Sequence, residues 1–578
     1  MKTLSAPMRL RRGLVAALAS IALGGAAQAQ TLAVPSPTGT GRAETVEVVV
    51  DLDDGTSPAE AQVLGRRLGV TLRANSHLAG ESGVYLARVA AAQAPALLRA
   101  LRAESGVEAA DENIEYRALF TPNDPLLDQQ WGLRRLGSPA AWDITCGAGV
   151  TVAVVDTGVA CENHGEFTRI PDLDGARCLQ GFNFVNGTVH ASDDQGHGTH
   201  VAGTIAQTTH NALGGAGVAY CANILPVKVL DAQGRGTLAN VAEGIRWAAD
   251  HGAQVINLSL GGGGRSRVME QAVAYARRKG ATVVCAAGNN GRFVESPANA
   301  PGAIAVSAID EGDQIAFFSS RGPEVTIAAP GVQILQQTIC NHGRDRCEQF
   351  ASWSGTSMAA PHVAGAAALL VSLGVTDPDA VARALQQYAS PLAHGGTERE
   401  LYGAGVVSGH GAAAGVLQRQ GVARAVALAV MAALMALWIR RRRGALSWSW
   451  IVPAYLTGVG FFFLPQFAPH FAPGVELLMR PVAAWDSILL GAGAHRWLAF
   501  AHLGVVFALV GLGFGRASLR GPIGGVALGV ASFLAAEAWM GDGFAPLGRL
   551  LYWGWIALNL VACLWVARIG IDRRTAQG

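Results

Sequence analysis

The sequence predicts an α/β protein built on a mostly parallel open sheet with helices on both faces. From Pro122 onwards, near-continuous apolar runs alternate with helical stretches. Strands that are covered on both faces of a parallel sheet show this pattern. A smaller α+β pattern precedes this part, and long apolar runs follow Gly421, so an all-α transmembrane region is predicted at the carboxyl end. A chain of 578 residues is also too long for one hydrophobic core.

Five strands of the sheet are predicted, at residues 149–156, 223–230, 253–260, 281–288 and 303–309. Helices are expected between them, for example over Leu238–His251 and Ser266–Lys279. Open α/β sheets bind their ligands at the carboxyl ends of the strands. Polar side chains that follow these strands are therefore the first candidates for a functional site.

The chain begins like an exported protein. Basic residues precede an apolar run from Leu14 to Leu23, and Ala27-Gln28-Ala29 offers a small-x-small cleavage site. Residues 1–29 are therefore predicted to be a signal peptide, with an uncleaved membrane anchor as the alternative. Residues 30–44 are rich in Pro, Thr and Gly, which is typical of a linker.

Residues 45–118 have a strand and helix pattern of their own. "VEVVV" and "GVYLARV" indicate strands, Pro58–Leu68 and Ala92–Glu104 indicate helices, and "VEAADENIEY" indicates a last strand. These elements are part of a ferredoxin-like β-α-β-β-α-β order, so a small ferredoxin-like α+β domain is predicted. The segment contains no recognisable catalytic constellation.

The carboxyl-terminal part contains five apolar runs, near 422–439, 446–465, 497–515, 522–540 and 550–567. Each is close to the roughly 20 residues that cross a bilayer. Residues 420–569 are therefore predicted to form about five transmembrane helices, followed by a cytoplasmic tail at 570–578. The segment 474–490 is interpreted as an interfacial helix or a re-entrant element.

The arginines of this region indicate its orientation. If the preceding domain lies outside the cytoplasm, the inner loops hold nine arginines and the outer loops three. Cytoplasmic loops carry the excess of positive charge in membrane proteins. The predicted location is therefore a cell membrane, with the chain crossing the bilayer several times and the folded domain in the periplasm or outside the cell.

Charge and cysteine content narrow the possibilities further. A net charge of +2, without a basic tract, gives no reason to expect a nucleic-acid partner. Seven of the eight cysteines lie between Cys146 and Cys347, which indicates disulfides in an exported chain. Cys340 and Cys347 close a short polar loop and are the preferred pair, whereas Cys285 is expected to be a buried free thiol. Cysteines that can add one or two bridges of open connectivity are Cys146, Cys161, Cys178 and Cys221.

Four polar residues stand where acyl-transfer chemistry would need them. Asp156 ends the first strand in "VAVVDTG", His197 lies in "DDQGHGTHVAGTIA", and Ser357 lies in "SGTSMAAPHVAG" just before a helix. A serine hydroxyl attacks only when a base takes its proton and an acid orients that base. Asn289, in "AAGNN", offers an amide to the developing oxyanion. Each residue alone has an ordinary structural interpretation, but their joint occurrence favours a catalytic one.

These stretches resemble those of the subtilisin-like serine proteases, the subtilases. The resemblance rests on "VVDTGV", "HGTHVAGTIA", "NLSLGG", "AAGNN" and "GTSMAAPHVAGAAALL", and it covers about residues 124–410. It implies a subtilisin-like fold for a peptidase domain at 119–412 and an inhibitory propeptide at 45–118. The carboxyl-terminal membrane region lies outside the resemblance.

The resemblance also implies roles for individual residues. Ser357 would be the nucleophile, His197 the general base, and Asp156 the group that orients His197. Asn289 and the backbone N–H of Ser357 would form the oxyanion hole. The residues implied to pair with an extended substrate backbone are Gly234, Arg235, Gly236, Ser259, Leu260 and Gly261.

The resemblance implies that the chemistry requires no cofactor. It also implies that calcium can be bound in a structural role, as is common in the family. Asp124, Asp128, Asp172 and Asp174 are acidic candidates, but solvated loop carboxylates are an equally good interpretation, so no ligand is assigned. The stretch "ENHGEFTRIPDLDG" departs from the family pattern. Because cysteines lie close to it, an extra disulfide or an altered calcium site is expected there.

The predicted function is that of an exported, membrane-tethered serine endopeptidase that hydrolyses polypeptides. Its own propeptide would inhibit it until self-cleavage between about Tyr116 and Asp124. The alternative is a membrane-bound peptide-binding or sensor protein with a catalytically silent protease-like domain. An intramembrane protease has little support, because no flanking motif connects His502, Ser532 and Glu537. The glycine-rich "LGGGG" permits a roomy pocket without identifying the preferred side chain.

Overall fold

The structure is a computed structural model that describes residues 45–113, 122–339, 349–392, 398–442, 448–462, 475–485, 502–545 and 548–569. The predicted signal peptide, linker, Cys340–Cys347 pair and cytoplasmic tail lie outside these residues, as does most of the predicted self-cleavage window. The chain divides into two compact units, one of which comprises Ala29–Ala118. Each unit is described separately below.

The first unit is a four-stranded antiparallel sheet with helices. Its sheet order is β2-β3-β1-β4, which matches the expected β-α-β-β-α-β arrangement. Ser57 caps the first helix by a reciprocal hydrogen-bond pair with Glu60. The elements are β1 (Thr45–Leu52), α1 (Pro58–Arg67), β2 (Arg73–Ala74), α2 (Ala79–Ser82), β3 (Val84–Ala90), α3 (Ala94–Leu101) and β4 (Val107–Glu112).

The second unit contains the predicted parallel sheet. Seven strands lie in the order β11-β10-β9-β8-β5-β7-β6, and every neighbouring pair is parallel. β5 and β7–β10 are the five predicted strands, and β12 and β13 form a separate antiparallel hairpin. The strands are β5 (Thr151–Asp156), β6 (Phe182–Asn183), β7 (Asn223–Lys228), β8 (Val255–Leu258), β9 (Thr282–Ala286), β10 (Ile304–Ile309), β11 (Val325–Pro330), β12 (Ile334–Gln337) and β13 (Phe350–Trp353).

Helices cover both faces of this sheet, as the sequence predicts. α6 and α9 pack in one hydrophobic core and α7 and α8 in the other. Thr237 and Ser266 cap α7 and α8 by accepting hydrogen bonds from Asn240 N and Met269 N. The helices are α4 (Trp131–Leu136), α5 (Ser138–Trp142), α6 (His197–Ala206), α7 (Leu238–Asp250), α8 (Arg267–Arg278), α9 (Thr356–Ser372), α10 (Pro378–Gln387) and α11 (Arg399–Tyr402).

The carboxyl-terminal region is helical and apolar. Among the described residues, three helices are long and apolar enough to cross a membrane, over Gly409–Leu437, Ala517–Met540 and Leu550–Ile569. In the second helix, 67% of the most apolar 18-residue stretch is buried inside the protein, against 28% in the first and 33% in the third. The second helix is therefore the central one of the group. The helices are α12 (Gly409–Arg442), α13 (Trp448–Gly458), α14 (Val475–Met479), α15 (His502–Gly513), α16 (Ala517–Met540) and α17 (Arg549–Ile569).

One continuous helix joins the sheet domain to the helical region. The first turns of α12 bury Ala412, Ala413 and Val416 in the core of the sheet domain, and the same helix continues to Arg442. The boundary expected between residues 412 and 420 therefore lies inside a helix. At 1.5 Å per residue, its 34 residues extend about 51 Å.

Buried polar contacts also hold the helical region against the sheet domain. Arg419 Nη2 donates to both carboxylate oxygens of Asp542 at 2.7 Å, and Asp542 O accepts from Thr376 N at 2.9 Å. Arg480 Nη1, in the segment expected to be interfacial or re-entrant, donates to Ser372 O at 2.5 Å. We call these five residues the docking junction.

Two disulfides resolve the connectivity that the sequence leaves open. Cys146 pairs with Cys221, and Cys161 pairs with Cys178. The second bridge spans the divergent "ENHGEFTRIPDLDG" stretch, where an extra disulfide is one of the two expected features. Cys285 is free and buried, as predicted.

Candidate active site

Asp156 and His197 meet at the carboxyl edge of the sheet. Asp156 is the last residue of β5, and His197 is the first of α6. Oδ1 of Asp156 lies 2.7 Å from Nδ1 of His197 and also accepts from Thr157 N at 2.8 Å. Asp156 is fully buried, whereas the side chain of His197 is 22% exposed. This contact places the imidazole proton on Nδ1 and leaves Nε2 as the basic nitrogen.

A buried carboxylate that the sequence analysis did not single out builds the loop before His197. Asp193 Oδ1 accepts from Gln195 N at 3.0 Å and Gly196 N at 2.9 Å, and its Oδ2 accepts from Thr199 N at 3.0 Å. These bonds satisfy N–H groups around the start of α6. Asp193 therefore fixes the backbone conformation on both sides of His197.

The environment of His197 raises its pKa above the ordinary value. Burial opposes protonation, but the charge of Asp156, its hydrogen bond and the charge of Asp193 outweigh that effect. His200, three residues on, differs. Burial lowers the pKa of His200 to about 4, and its Nε2 lies 3.0 Å from the carbonyl oxygens of Ile334 and Ala351. His200 is thus a structural histidine.

Ser357 lies in the first turn of α9 and is held by Ser259. Ser357 Oγ donates to Ser259 O at 3.0 Å, and Ser259 Oγ donates to Ser357 O at 2.7 Å. Ser357 and His197 both belong to the described part of the chain, and no hydrogen bond joins them. A nucleophile–base bond is often loose in a free enzyme and tightens when substrate binds. Rotation of the Ser357 hydroxyl away from Ser259 is the movement that attack requires.

Thr356 orients the Asn289 side chain. Asn289 Oδ1 accepts from Thr356 N at 2.9 Å and from Thr356 Oγ1 at 3.0 Å. With the oxygen engaged, Nδ2 is the atom of this amide that is left to donate. Sequence reasoning missed Thr356 because a residue at a helix start is ordinarily interpreted as a cap.

A cavity of about 260 Å³ opens beside these residues. Leu260 and Gly261 line it together with Asn289 and Ser357. Ser259, which the resemblance assigns to pairing with the substrate backbone, donates a hydrogen bond from its side chain to the backbone carbonyl of Ser357. Gly234, Arg235 and Gly236 form an exposed turn that is closed by Asp231 N and Arg235 O at 2.9 Å.

The four acidic residues considered for calcium separate into two kinds. Asp124 and Asp172 are buried, at 4% and 0% exposed, whereas Asp128 and Asp174 are exposed. Burial raises the pKa of Asp172 to about 6, despite hydrogen bonds to its carboxylate, and the charge of Asp124 adds to the rise. Among the described residues, no group of three or more His, Cys, Asp or Glu side chains is arranged for a metal.

Comparison with known proteins agrees with this geometry. A family model described as "Subtilase family" matches residues 147–405. A thermophilic serine proteinase from Bacillus sp. (strain AK1) is 43% identical over 305 residues, which are 52% of this chain and 72% of that protein. Thermitase from Thermoactinomyces vulgaris is 46% identical over 257 residues, which are 44% of this chain and 87% of thermitase. The chain belongs to the subtilase family.

The fold class follows from this membership and from the sheet. This subtilase has the subtilisin-like α/β fold and is a serine endopeptidase. Subtilisin BL from Lederbergia lenta is a further relative, 44% identical over 242 residues, which are 42% of this chain and 83% of that protein. The family match ends at residue 405, before Gly409, where the first of the long apolar helices begins.

Proposed function

We propose that this subtilase hydrolyses peptide bonds through Asp156, His197 and Ser357, with Asn289 as an oxyanion donor. The observation that supports the proposal most is the fully buried Asp156 carboxylate, 2.7 Å from Nδ1 of His197, which supplies an oriented base with a raised pKa. All four residues lie at the carboxyl edge of one sheet or at the start of a helix that packs on it.

The proposed reaction moves one proton through His197. Ser357 Oγ leaves the Ser259 carbonyl, transfers its proton to Nε2 of His197, and forms a bond to the substrate carbonyl carbon. The negative oxygen is received by Asn289 Nδ2 and by the backbone N–H of Ser357. His197 then protonates the leaving amine, and water hydrolyses the acyl-enzyme by the same route in reverse. Asp156 stays ionised and stabilises the imidazolium.

The direct test is peptide cleavage by the purified full-length protein in detergent. Wild type should cleave a chromogenic peptide and react with a fluorophosphonate probe, and Ser357→Ala should do neither. His197→Ala should retain at most a trace of both activities. A wild-type protein that binds peptides, cleaves none and does not react with the probe would favour the peptide-binding or sensor alternative.

We also propose that the protein is exported and that the helices tether the peptidase domain to a membrane. α12 begins in the peptidase core, and the docking junction lies near the end of α16, so one end of these helices faces the peptidase domain. The opposite ends carry arginines, at Arg442 of α12, Arg516 before α16 and Arg568 of α17. By the positive-inside rule, this distribution of arginines supports a peptidase domain outside the cytoplasm.

For residues 45–118 we propose the role of an inhibitory propeptide. Its antiparallel sheet matches the expected ferredoxin-like order, and the segment precedes the part of the chain that matches the family. Self-cleavage between about Tyr116 and Asp124 is expected. N-terminal sequencing should find the mature end in this window in wild type and an uncleaved chain in Ser357→Ala. Equal processing of both proteins would contradict self-cleavage.

Structural calcium near Asp124 and Asp172 is a third proposal. Burial raises the pKa of Asp172 to about 6, and the charge of Asp124, the second buried carboxylate, adds to this rise. An unbound site should lose stability as pH rises towards 6, because the folded form holds a proton there that the unfolded form has released. Calcium should relieve this cost, so it should raise the Tm more at pH 8 than at pH 5. An absence of calcium effect at pH 8 would contradict the proposal.

A further inference from the structure

The cavity beside Ser357 receives one particular part of a substrate. If Ser357 attacks a carbonyl held by Asn289, the side chain on the same substrate residue, called P1, enters the cavity that both residues line. The cavity walls include Leu260 and Gly261, which follow β8, and Ala286 and Gly288, at the end of β9 and just after it. The chemistry of this lining therefore decides which P1 residue the enzyme accepts.

Glu295 is the ionisable side chain among the described residues that line this cavity. Its backbone N donates to Ala287 O at 2.9 Å, and its carbonyl accepts from Asn299 N at 3.0 Å, which fixes the residue against the β9 wall. Oε1 accepts from Asn290 Nδ2 at 2.8 Å. In the part of the chain that the structure describes, no Lys, Arg or His forms an ion pair with Glu295.

Two glycines make room for this carboxylate. A Cβ at Gly261 would lie 2.9 Å from Glu295 Oε2, and a Cβ at Gly288 would lie 2.7 Å from Glu295 Cδ. Gly288 also has a φ of +110°, which side chains rarely adopt. A side chain on either wall would displace the carboxylate, so the glycines allow it to lie between the two walls.

We propose that Glu295 makes this protease select lysine or arginine at P1. The inference rests on the proposed roles of Ser357 and Asn289. The half-buried carboxylate lacks a cationic partner within the described residues, and a P1 ammonium or guanidinium group supplies one. Leu260 and Ala286 offer apolar contact for the aliphatic stem of such a side chain. Charge-assisted hydrogen bonds are about twice as strong as neutral ones. A pair between Glu295 and a P1 lysine or arginine therefore favours these substrates over substrates with a neutral P1 side chain.

The test compares peptides that differ only at P1, with Lys, Arg, Met, Phe or Glu in that position. For the full-length enzyme, kcat/KM should be at least about tenfold higher for Lys and Arg than for Met, and lowest for Glu. In Glu295→Gln, cleavage of the Lys and Arg peptides should fall about ten- to a hundredfold. Cleavage of the Met and Phe peptides should stay within about threefold of wild type, which also shows that the variant is folded.

Glu324→Gln is the matched control. Glu324 pairs with Arg265 at 3.4 Å and does not line the cavity, so the same change of charge there should leave the P1 preference unaltered. Equal cleavage of the Lys and Met peptides by wild type, or an unchanged ratio in Glu295→Gln, would overturn the inference while leaving the endopeptidase proposal intact. Failure of Ser357-dependent cleavage for every peptide would overturn both.

Discussion

Thr356→Val tests whether the helix start orients the oxyanion donor. Thr356 Oγ1 donates to Asn289 Oδ1 at 3.0 Å and accepts from Gly288 N at 3.2 Å. Valine keeps the branched shape of the buried side chain and removes both bonds. The backbone bond from Thr356 N to Asn289 Oδ1, at 2.9 Å, is retained, so the amide loses one of its two anchors.

The size of the effect follows from the bonds that are lost. One hydrogen bond contributes about 0.5–1.5 kcal/mol, so partial loss of the Asn289 orientation should lower kcat about two- to twelvefold. KM should change little, because the oxyanion forms only in the transition state. Loss of the donor itself in Asn289→Leu should cost about 10²–10³-fold, the range known from a related protease. The unpaired Gly288 N–H should also lower the unfolding free energy by about 1–3 kcal/mol.

A double-mutant cycle provides the assay. kcat is measured at saturating peptide for wild type, Thr356→Val, Asn289→Leu and the double variant. If Thr356 acts through Asn289, adding Thr356→Val to Asn289→Leu should change kcat by less than about twofold. The same several-fold loss in both backgrounds would refute this reasoning, because Thr356 would then act independently of the amide.

Three further predictions concern pH, the disulfide and the docking junction. Because the pKa of His197 is raised, the acid limb of the kcat/KM profile should lie above pH 6.5, about the ordinary pKa of histidine, and a wild-type limb at or below 6.5 would contradict this. Asp156→Asn should move the limb to lower pH and lower kcat about 10⁴-fold. Replacing Cys161 and Cys178 by serine opens a 17-residue loop and should lower the unfolding free energy, measured with denaturant, by about 3 kcal/mol. Free thiols at these positions in wild type would disprove the bridge. Asp542→Ala should lower the unfolding free energy in detergent by about 2–4 kcal/mol, because it leaves Arg419 without its carboxylate partner. The control Glu311→Ala breaks the exposed ion pair with Arg134 and should lower the unfolding free energy by less than about 1 kcal/mol.

The strands that position the site were predictable, and an edge strand was not. β5, β8 and β9 are buried on both faces, so their apolar runs stand out from the surrounding sequence. β11 lies at the edge of the sheet and ends at Pro330. Proline is tolerated at a sheet edge, but it does not explain why β11 is not among the five predicted strands, because the predicted strand β7 contains Pro226.

The chemical residues of the site were recognisable, whereas their supporting contacts were not. Asp156, His197, Asn289 and Ser357 each stand in a distinctive local sequence. Glu295 lies 62 positions before Ser357 in the sequence, and only the folding of the loop after β9 brings it to the same cavity.

The domain boundary at α12 was hidden for a different reason. No proline interrupts the chain from Gly409 into the first membrane run, although the polar residues Gln418–Gln420 lie between two apolar stretches. The change in composition near residue 420 therefore marks a change of environment within one helix. It does not mark a break in secondary structure.

A labelling experiment can test whether Ser357 is an activated nucleophile on the outer side of a membrane. A membrane-impermeant fluorophosphonate is added to intact cells or spheroplasts that express wild type, Ser357→Ala or His197→Ala. Membrane-bound wild type should be labelled in intact cells, and neither variant should be labelled. Labelling that appears only after lysis, or that persists in Ser357→Ala, would contradict this expectation.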